Sequence, residues 1–359
     1  MPLRQPQVPA HDARAQALTD DGHRTTAMTH VVHHQQWGAE ALWESLSPLL
    51  PGISVEVQAR VESTNTRLLE RARALSGNPQ SPVTRPGELG GPSRDERTPH
   101  GRRAGDISPC LLVAEEQTRG RGRLGRNWIS SAGASLSFSL SMPLAPVQWG
   151  GLSLAVGLAL AEALDPQPLG AALGHGLLGD ASATADSAES ADSADTAARP
   201  RIGLKWPNDL WLVDGPGRGR KLGGVLIETV SVGQRRMCVV GVGLNVAPQP
   251  NGGPDCLSHG YACLQEINVQ ASAPKALAAV ARPLVLALQR FESEGFAPSV
   301  AAYARRDLLR GQRVSTTAPE ALEGVAEGVD EQGALCVRSG GLHRVVSGEV
   351  SVRLAAAKL

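Results

Sequence analysis

Ile53, Val55, Val57, Ala59 and Val61 alternate strictly with Ser54, Glu56, Gln58 and Arg60. A period of two puts every apolar side chain on one face of an extended strand, whereas on a helix it would send them to opposite sides. The same period returns where Leu136, Phe138, Leu140 and Met142 alternate with Ser135, Ser137, Ser139 and Ser141, and again at Val350, Val352 and Leu354. The two longer runs read as half-buried strands. Leu111 to Ala114 reads as a buried strand, and four further strand-like segments lie near 202–206, 209–213, 222–230 and 237–246. Their close spacing leaves room for hairpin turns but not for parallel crossovers, so the sheet should be mixed or largely antiparallel. Helical spacing predicts a short helix from Ala41 to Leu50, ended by Pro51, and another from about Thr64 to Leu75. Gly151 to Leu164 reads as an apolar helix, and two more fill 274–293 and 297–309.

The chain has 359 residues, enough for one large domain or two unequal ones. Residues 1–37 are polar and irregular and hold five of the nine histidines (His11, His23, His30, His33, His34). They read as a disordered tail rather than a metal site, and as too short and unpatterned for a helix-turn-helix; Met28 is an alternative start. Residues 38–310 read as the main domain. Two stretches interrupt it: 76–109, with six prolines, six glycines and no aromatic residue, and 166–200, rich in Ala, Ser and Asp. Neither can build a core of its own, so both are expected to be surface insertions. Residues 311–359 carry short strands parted by turns at Asp330–Gly333 and Ser339–Gly341, which predicts a small β-barrel.

Composition narrows the function. Thirty-five basic residues balance thirty-five acidic ones, so nothing global favours nucleic acid or a membrane surface. The five cysteines include no C-x-x-C, which points to reduced thiols in a cytoplasmic protein. No secretion signal is visible, and the longest apolar run, near Leu154 to Ala161, is far too short to span a membrane.

Four motifs carry the chemistry. Gly120-Arg121-Gly122-Arg123-Leu124-Gly125-Arg126 combines bare backbone with forked cations, which suits a polyphosphate or a carboxylate. It is not a Walker A loop, because no G-x-x-x-x-G-K-[ST] occurs. Lys205-Trp206-Pro207-Asn208-Asp209 sets a cation, an amide and a carboxylate around a turn, and an ordinary strand end would look the same. Lys221-Leu222-Gly223-Gly224 leads a lysine into a glycine strand, either toward a site floored by backbone or as a β-bulge with a surface lysine. Glu62-Ser63-Thr64-Asn65 joins a strand to a helix, where these residues either cap the helix or bind a polar ligand. Only four lysines occur in the chain, and Lys205 and Lys221 both fall in these motifs. No histidine or cysteine nucleophile stands out, so the expected catalysis is positioning and charge stabilisation of two anions.

Taken in order, E-S-T-N (62–65), A-E-E-Q-T-R-G-R-G-R-L-G-R-N-W (114–128), L-K-W-P-N-D-L (204–210), K-L-G-G-V-L-I-E (221–228) and G-V-G-L-N-V (241–246) resemble the biotin–protein ligase (biotin–[acetyl-CoA-carboxylase] ligase) family. The resemblance spans about residues 38–354. It implies an α+β fold: a class II aminoacyl-tRNA synthetase-like mixed sheet with flanking helices, followed by a small SH3-like β-barrel. It implies a carbon–nitrogen ligase that forms biotinyl-5′-AMP from biotin and ATP, with Mg²⁺, and then biotinylates a lysine of the biotin carboxyl carrier protein of a carboxylase. By resemblance, Ser63, Thr64, Asn65 and Gln117 hold the ureido end of biotin, and Arg121, Gly122 and Arg123 form the loop that closes over it. Lys221, Arg123 and Lys205 are the catalytic cations, with Lys221 against both the carboxylate and the α-phosphate. Asn208 and Arg126 lie near the phosphates, Trp128 stacks near the adenine, and Glu349 and Arg353 of the barrel lie near ATP. No residue is a clear metal ligand. Some relatives also repress transcription through an N-terminal winged helix; the tail here cannot supply one, so a monofunctional ligase without DNA binding is expected, as monomer or homodimer. The rivals are a lipoate–protein ligase, a non-catalytic nucleic-acid binder using the basic loop, and an inactive biotin-binding regulator. Five Phe and Tyr residues in all leave little for base stacking.

Overall fold

The alternating run after Pro51 becomes β1 (Ser54–Val61), and it lies at the edge of a sheet. The computed structural model describes residues 35–75, 107–169, 199–215, 219–249, 260–316, 322–346 and 352–354. The histidine-bearing tail, most of both insertions, Cys256 and Glu349 lie outside the described residues. Packing begins slightly ahead of Gly38, because Trp37 is buried and its indole donates to Glu115 at 3.2 Å.

β1 runs parallel to β2 (Cys110–Gln117), with Ser54 opposite Cys110 and Val61 opposite Gln117. The remaining neighbours are antiparallel: β5 (Ser135–Pro143), β6 (Arg201–Lys205), β7 (Asp209–Val213), β8 (Gly219–Val232) and β9 (Arg235–Asn245), in the spatial order β1-β2-β5-β9-β8-β7-β6. The expected mixed sheet is therefore present. One face carries the large core, where α1 (Ala39–Leu46), α3 (Leu152–Leu164) and α4 (Ala273–Glu294) pack on Leu111, Val113, Leu136, Phe138 and Leu140. α3 sits between the sheet and α4, which is why it is apolar nearly all round. The other face is covered only in part, by α2 (Thr64–Leu75), whose Leu68 and Leu69 pack on Cys110, Leu112 and Val239.

Two strands depart from the half-buried reading. Ile53, just before β1, and Val55 within it reach the core under α1, but Val57 and Ala59 are exposed, since α1 ends before it can cover them and, among the described residues, no strand lies outside β1. β5 departs the other way. Its serine face is as buried as its apolar face, because the serines underlie a site rather than solvent. The helix expected over 297–309 is also shorter. A 3₁₀ turn (Ala297–Ser299) leads into α5 (Val300–Ala304), and the chain then lies along β6. There Leu204 N–H donates to Arg306 O at 2.7 Å and Leu308 N–H donates to Leu204 O at 3.0 Å, so the unpaired sheet edge takes the backbone that the helix would have used.

The C-terminal domain is a five-stranded antiparallel sheet of β10 (Arg313–Thr316), β11 (Glu323–Val329), β12 (Leu335–Ser339), β13 (Gly341–Val345) and β14 (Val352–Leu354), ordered β13-β12-β11-β10-β14. The predicted turn at Asp330–Gly333 forms, with Asp330 Oδ1 accepting from the Gln332 and Ala334 amides at 2.9 Å. It meets the main domain where the Trp206 indole donates to Gly333 O at 3.0 Å.

Candidate active site

The uncovered part of the second sheet face is a cavity of about 630 Å³, and all four motifs line it. Its floor is made by β5 and β9. Ser137 lies opposite Gly243 and Ser139 opposite Gly241, so small polar side chains face bare backbone. The glycines are required there. A Cβ on Gly243 would lie 2.5 Å from the Trp128 ring, and one on Gly241 would lie 2.2 Å from Asn65 Oδ1.

One end of the cavity is built on the start of α2. Ser63, Thr64 and Asn65 are all buried there. Ser63 does cap the helix, its Oγ accepting from Thr66 N–H at 3.4 Å, and it lines the cavity as well. Gln117, at the end of β2, accepts from the Thr64 amide at 2.7 Å and from its hydroxyl at 3.2 Å. Ser139 Oγ stands 2.6 Å from both Thr64 Oγ1 and Asn65 Oδ1. The Asn65 amide nitrogen donates to Leu226 O at 3.2 Å and to Glu228 at 3.1 Å. These groups are fixed by one another before any ligand arrives, which is how a specific polar pocket avoids reorganisation.

The other end is cationic. Directly opposed residues of antiparallel strands share a face, so Lys205 and Asp209 of the β6–β7 hairpin, Trp211 further along β7, and Lys221 of β8 all look into the cavity. A register shift between Leu210 and Trp211 sets Leu222 as an extra residue in β8. The bulge is therefore real, and it aims Lys221 at the site. Lys221 Nζ donates to Asp209 Oδ1 at 2.8 Å. Lys205 is buried, and its Nζ lies 4.3 Å from the centre of the Trp211 ring. Burial pushes the Lys205 ammonium below its ordinary pKa; Asp209 opposes this, and Lys221 and Arg126 add to it. The Trp206–Pro207 peptide is cis, and Asn208 beyond it donates to Val225 O at 2.8 Å.

The glycine–arginine run folds as a small hairpin of β3 (Gly120–Arg121) and β4 (Asn127–Trp128), with a 3₁₀ turn at Arg123–Gly125. Gly122 N–H closes it on Arg126 O at 2.7 Å, and Leu124 takes a left-handed backbone at φ 57°. Arg123 reaches across to Asn208 Oδ1 at 3.4 Å. Burial lowers its pKa as well, with Asp209 opposing. Arg126 lines the cavity. Arg121 turns the other way, toward Glu228 and Thr66, each at 3.5 Å. Trp128 lies on Gly243 and donates to Ser137 Oγ at 3.2 Å, forming a wall.

Ser63, Thr64, Asn65, Gln117, Arg121, Gly122, Arg123, Arg126, Trp128, Lys205, Asn208 and Lys221 are thus gathered in one cavity. Arg353 lies in β14 opposite Ser315, in the C-terminal sheet. The sequence marked Asp209 as the carboxylate of its motif without giving it a role, and it left out Trp211, which lines the cavity, and Ser139, which bonds to Thr64 and Asn65. The row of serines across from Gly241 and Gly243 was the available signal for Ser139, but using it requires the register. Among the described residues no three His, Cys, Asp or Glu side chains converge as a metal cage would require.

A family model described as the biotin/lipoate A/B protein ligase family matches residues 105–245, and one described as the biotin protein ligase C terminal domain matches 311–353. The bifunctional ligase/repressor BirA of Escherichia coli strain K12 is 30% identical over 311 residues, which is 85% of this chain and 76% of that protein. The biotin–[acetyl-CoA-carboxylase] ligase of Mycobacterium tuberculosis is 34% identical over 251 residues, 67% of this chain and 78% of that protein. Among solved structures, the biotin protein ligase of Aquifex aeolicus in complex with biotin and ATP superposes with a TM-score of 0.56 at 23% identity, covering 84% of this chain and 99% of that one. That likeness concerns the fold, and it agrees with the expected synthetase-like core and small C-terminal β domain. Motif order, both matching domain models and the length over which these relatives align lead to one conclusion: the chain belongs to the biotin protein ligase family.

Proposed function

We propose that this chain activates the carboxylate of biotin with ATP and passes the biotinyl group to a lysine of a biotin carboxyl carrier protein. One observation carries the reading: a single cavity joins a preset hydrogen-bonding end, built on α2, to a cationic end, built on β6 to β8. Such a cavity suits a neutral polar ring with an acid tail that must meet a polyphosphate. Relatives named for biotin and a carboxylase, and a fold neighbour crystallised with biotin and ATP, support the choice.

In the first step a biotin carboxylate oxygen bonds to the α-phosphorus, the bond to pyrophosphate breaks, and biotinyl-5′-adenylate forms. Ser63, Thr64, Asn65 and Gln117 hold the ureido ring. Lys221, Lys205, Arg123 and Arg126 offset the repulsion between the two anions, and Asn208 orients Arg123. Fixed charges in a dry site act mainly on the transition state, where negative charge gathers on the phosphate. The Arg121-Gly122-Arg123 segment covers the adenylate, and Trp128 walls the adenine. In the second step a neutral lysine amine attacks the acyl carbon, the carbon–oxygen bond to AMP breaks, and the amine proton leaves to solvent. No histidine or cysteine among the described residues lines the cavity, in keeping with a reaction run by position and charge. Any Mg²⁺ would arrive on the phosphates of ATP, and no step here is routed through it.

The test is exchange of labelled pyrophosphate into ATP, with biotin and lipoate run in parallel. Exchange with biotin alone is expected. Exchange with lipoate alone would keep the mechanism and overturn the substrate, and no exchange with either would overturn the reading.

A further inference from the structure

The two lysines of the cavity are held in different ways. Lys221 rests on a carboxylate, Asp209. Among the described residues Lys205 makes no ion pair, and its ammonium sits 4.3 Å above the centre of the Trp211 ring instead. Trp211 is itself held from three sides. It is 5% exposed and packs with Val213 and Leu308. On the β8 side it lies against Gly219, where even a Cβ would stand 2.9 Å from the ring. Leu308 is anchored by its backbone bond to β6. The ring therefore cannot swing away when its cation moves.

A carboxylate and a ring face hold a lysine to different ends. A carboxylate cancels the charge and has to be displaced before a phosphate can use it. A ring face attracts the cation through its quadrupole and leaves the net charge in place. Lys205 needs such support, because its surroundings oppose its charge. It is buried, and the charged groups facing it are Lys221 from β8, Arg126 from the glycine–arginine hairpin and Asp209 from β7. Asp209 is shared with Lys221.

We propose that Trp211 is a positioning residue for adenylate formation, its indole face keeping the Lys205 ammonium charged and aimed into the cavity where phosphate charge arrives. The inference rests on the reading of this cavity as an adenylation site. Trp211 touches no reacting atom in this scheme and acts only through Lys205. Its removal should therefore affect turnover and its pH dependence, and should spare the biotin end some strands away.

The experiment uses the full chain and biotin-dependent pyrophosphate–ATP exchange from neutral to alkaline pH. Trp211→Leu should lower kcat about tenfold, a loss equal to ~1.4 kcal/mol, with the KM for biotin unchanged. Without the ring the ammonium gives up its proton more easily, so the alkaline limb of the profile should move to lower pH. Trp211→Phe keeps a ring face and should restore most of both. Should Trp211→Leu fail to fold, tryptophans bearing increasing numbers of ring fluorines, placed at position 211 alone, weaken the face and keep the shape; kcat should then fall stepwise along the series. Equal losses in the Leu and Phe variants, a loss in Leu with an unmoved alkaline limb, or a flat fluorine series with an active wild-type enzyme would each overturn the role of Trp211 alone. A wild-type enzyme without biotin-dependent exchange would overturn the adenylation reading, and this inference with it.

Discussion

Lys221→Met separates charge stabilisation from scaffolding, because the structure assigns the two effects very different sizes. Lys221 is partly exposed and pairs with a partly exposed Asp209 at 2.8 Å, side-chain exposures being 27% and 22%. Such a pair contributes about 0–1 kcal/mol to folding. Its loss leaves Asp209 in the field of Lys205 and Arg123, so the carboxylate is not stranded. Stability should fall by no more than about 1 kcal/mol, which is a few degrees in the unfolding midpoint. The catalytic term is larger. Removing one preorganised group from a site of developing charge typically costs about 2.7–4 kcal/mol, or a factor of roughly 10²–10³ in kcat. The assay is pyrophosphate–ATP exchange at saturating biotin and ATP, run beside thermal unfolding of the same preparation. The expected result is an exchange rate two to three decades lower, roughly, with a nearly unchanged midpoint. Exchange within a few-fold of wild type would refute the argument, since the cation would then only be holding Asp209. A large fall in the midpoint would refute it differently, by showing that the pair is structural.

Three other outcomes follow from the geometry. Arg123→Gly removes the side chain that crosses to Asn208, so preformed adenylate should escape about tenfold faster in a trapping assay and label exposed amines, a change of ~1.4 kcal/mol; unchanged retention would mean that the hairpin does not cover the adenylate. Gly243→Ala drives a Cβ to within 2.5 Å of the Trp128 ring, so overpacking should lower stability by about 1–3 kcal/mol and weaken ligand binding by calorimetry, whereas normal stability and affinity would show that Trp128 is free to move. Burial raises the Asp307 carboxyl from 3.8 to about 6; the residue keeps some open surface, but its Oδ2 is buried and has no hydrogen-bond partner among the described residues. The folded state then holds this proton more tightly than the unfolded chain, so stability should fall as pH rises from about 4 through about 6 and level off above, by up to roughly 3 kcal/mol. Asp307→Asn should abolish that drop in melts taken at pH values either side of the window, and an unchanged drop would assign it to another group.

What could be read from the sequence was periodicity and motif chemistry; what could not was anything that depends on register. The alternation at 135–142 correctly gives a strand, yet its serine side looks the same whether it meets solvent or a polar site floor, since both favour small hydroxyl side chains. Only the pairing of Ser137 with Gly243 and Ser139 with Gly241 tells them apart. Lys205 and Lys221 stood out because lysine is scarce here and both sit in motifs. Trp211 did not, because its tie to Lys205 depends on which residues the β6–β7 hairpin sets side by side. The helix expected over 297–309 failed at its second half for a similar reason: an unpaired sheet edge, invisible to local propensity, took Arg306 to Leu308. The apolar face of β1 was legible as a face, but the short reach of α1 decides how much of it is covered.

The placement of Asp209 follows from the same electrostatics. Arg123, Arg126, Lys205 and Lys221 meet at one end of the cavity in a chain whose net charge is zero, so the excess is local. Burial works against the charge of two of them, Arg123 and Lys205, and for both Asp209 is the counter-charge that resists it. A cation cluster of this kind without a carboxylate would repel itself in the empty enzyme and shed protons or order. With three or four carboxylates it would be close to neutral and would have little left for a polyphosphate. A single carboxylate, bonded directly to Lys221 and felt by the others through space, keeps the empty site foldable and leaves most of its positive charge unspent. The Trp211 ring lets that compromise hold with one acid instead of two, because it supports Lys205 without neutralising it.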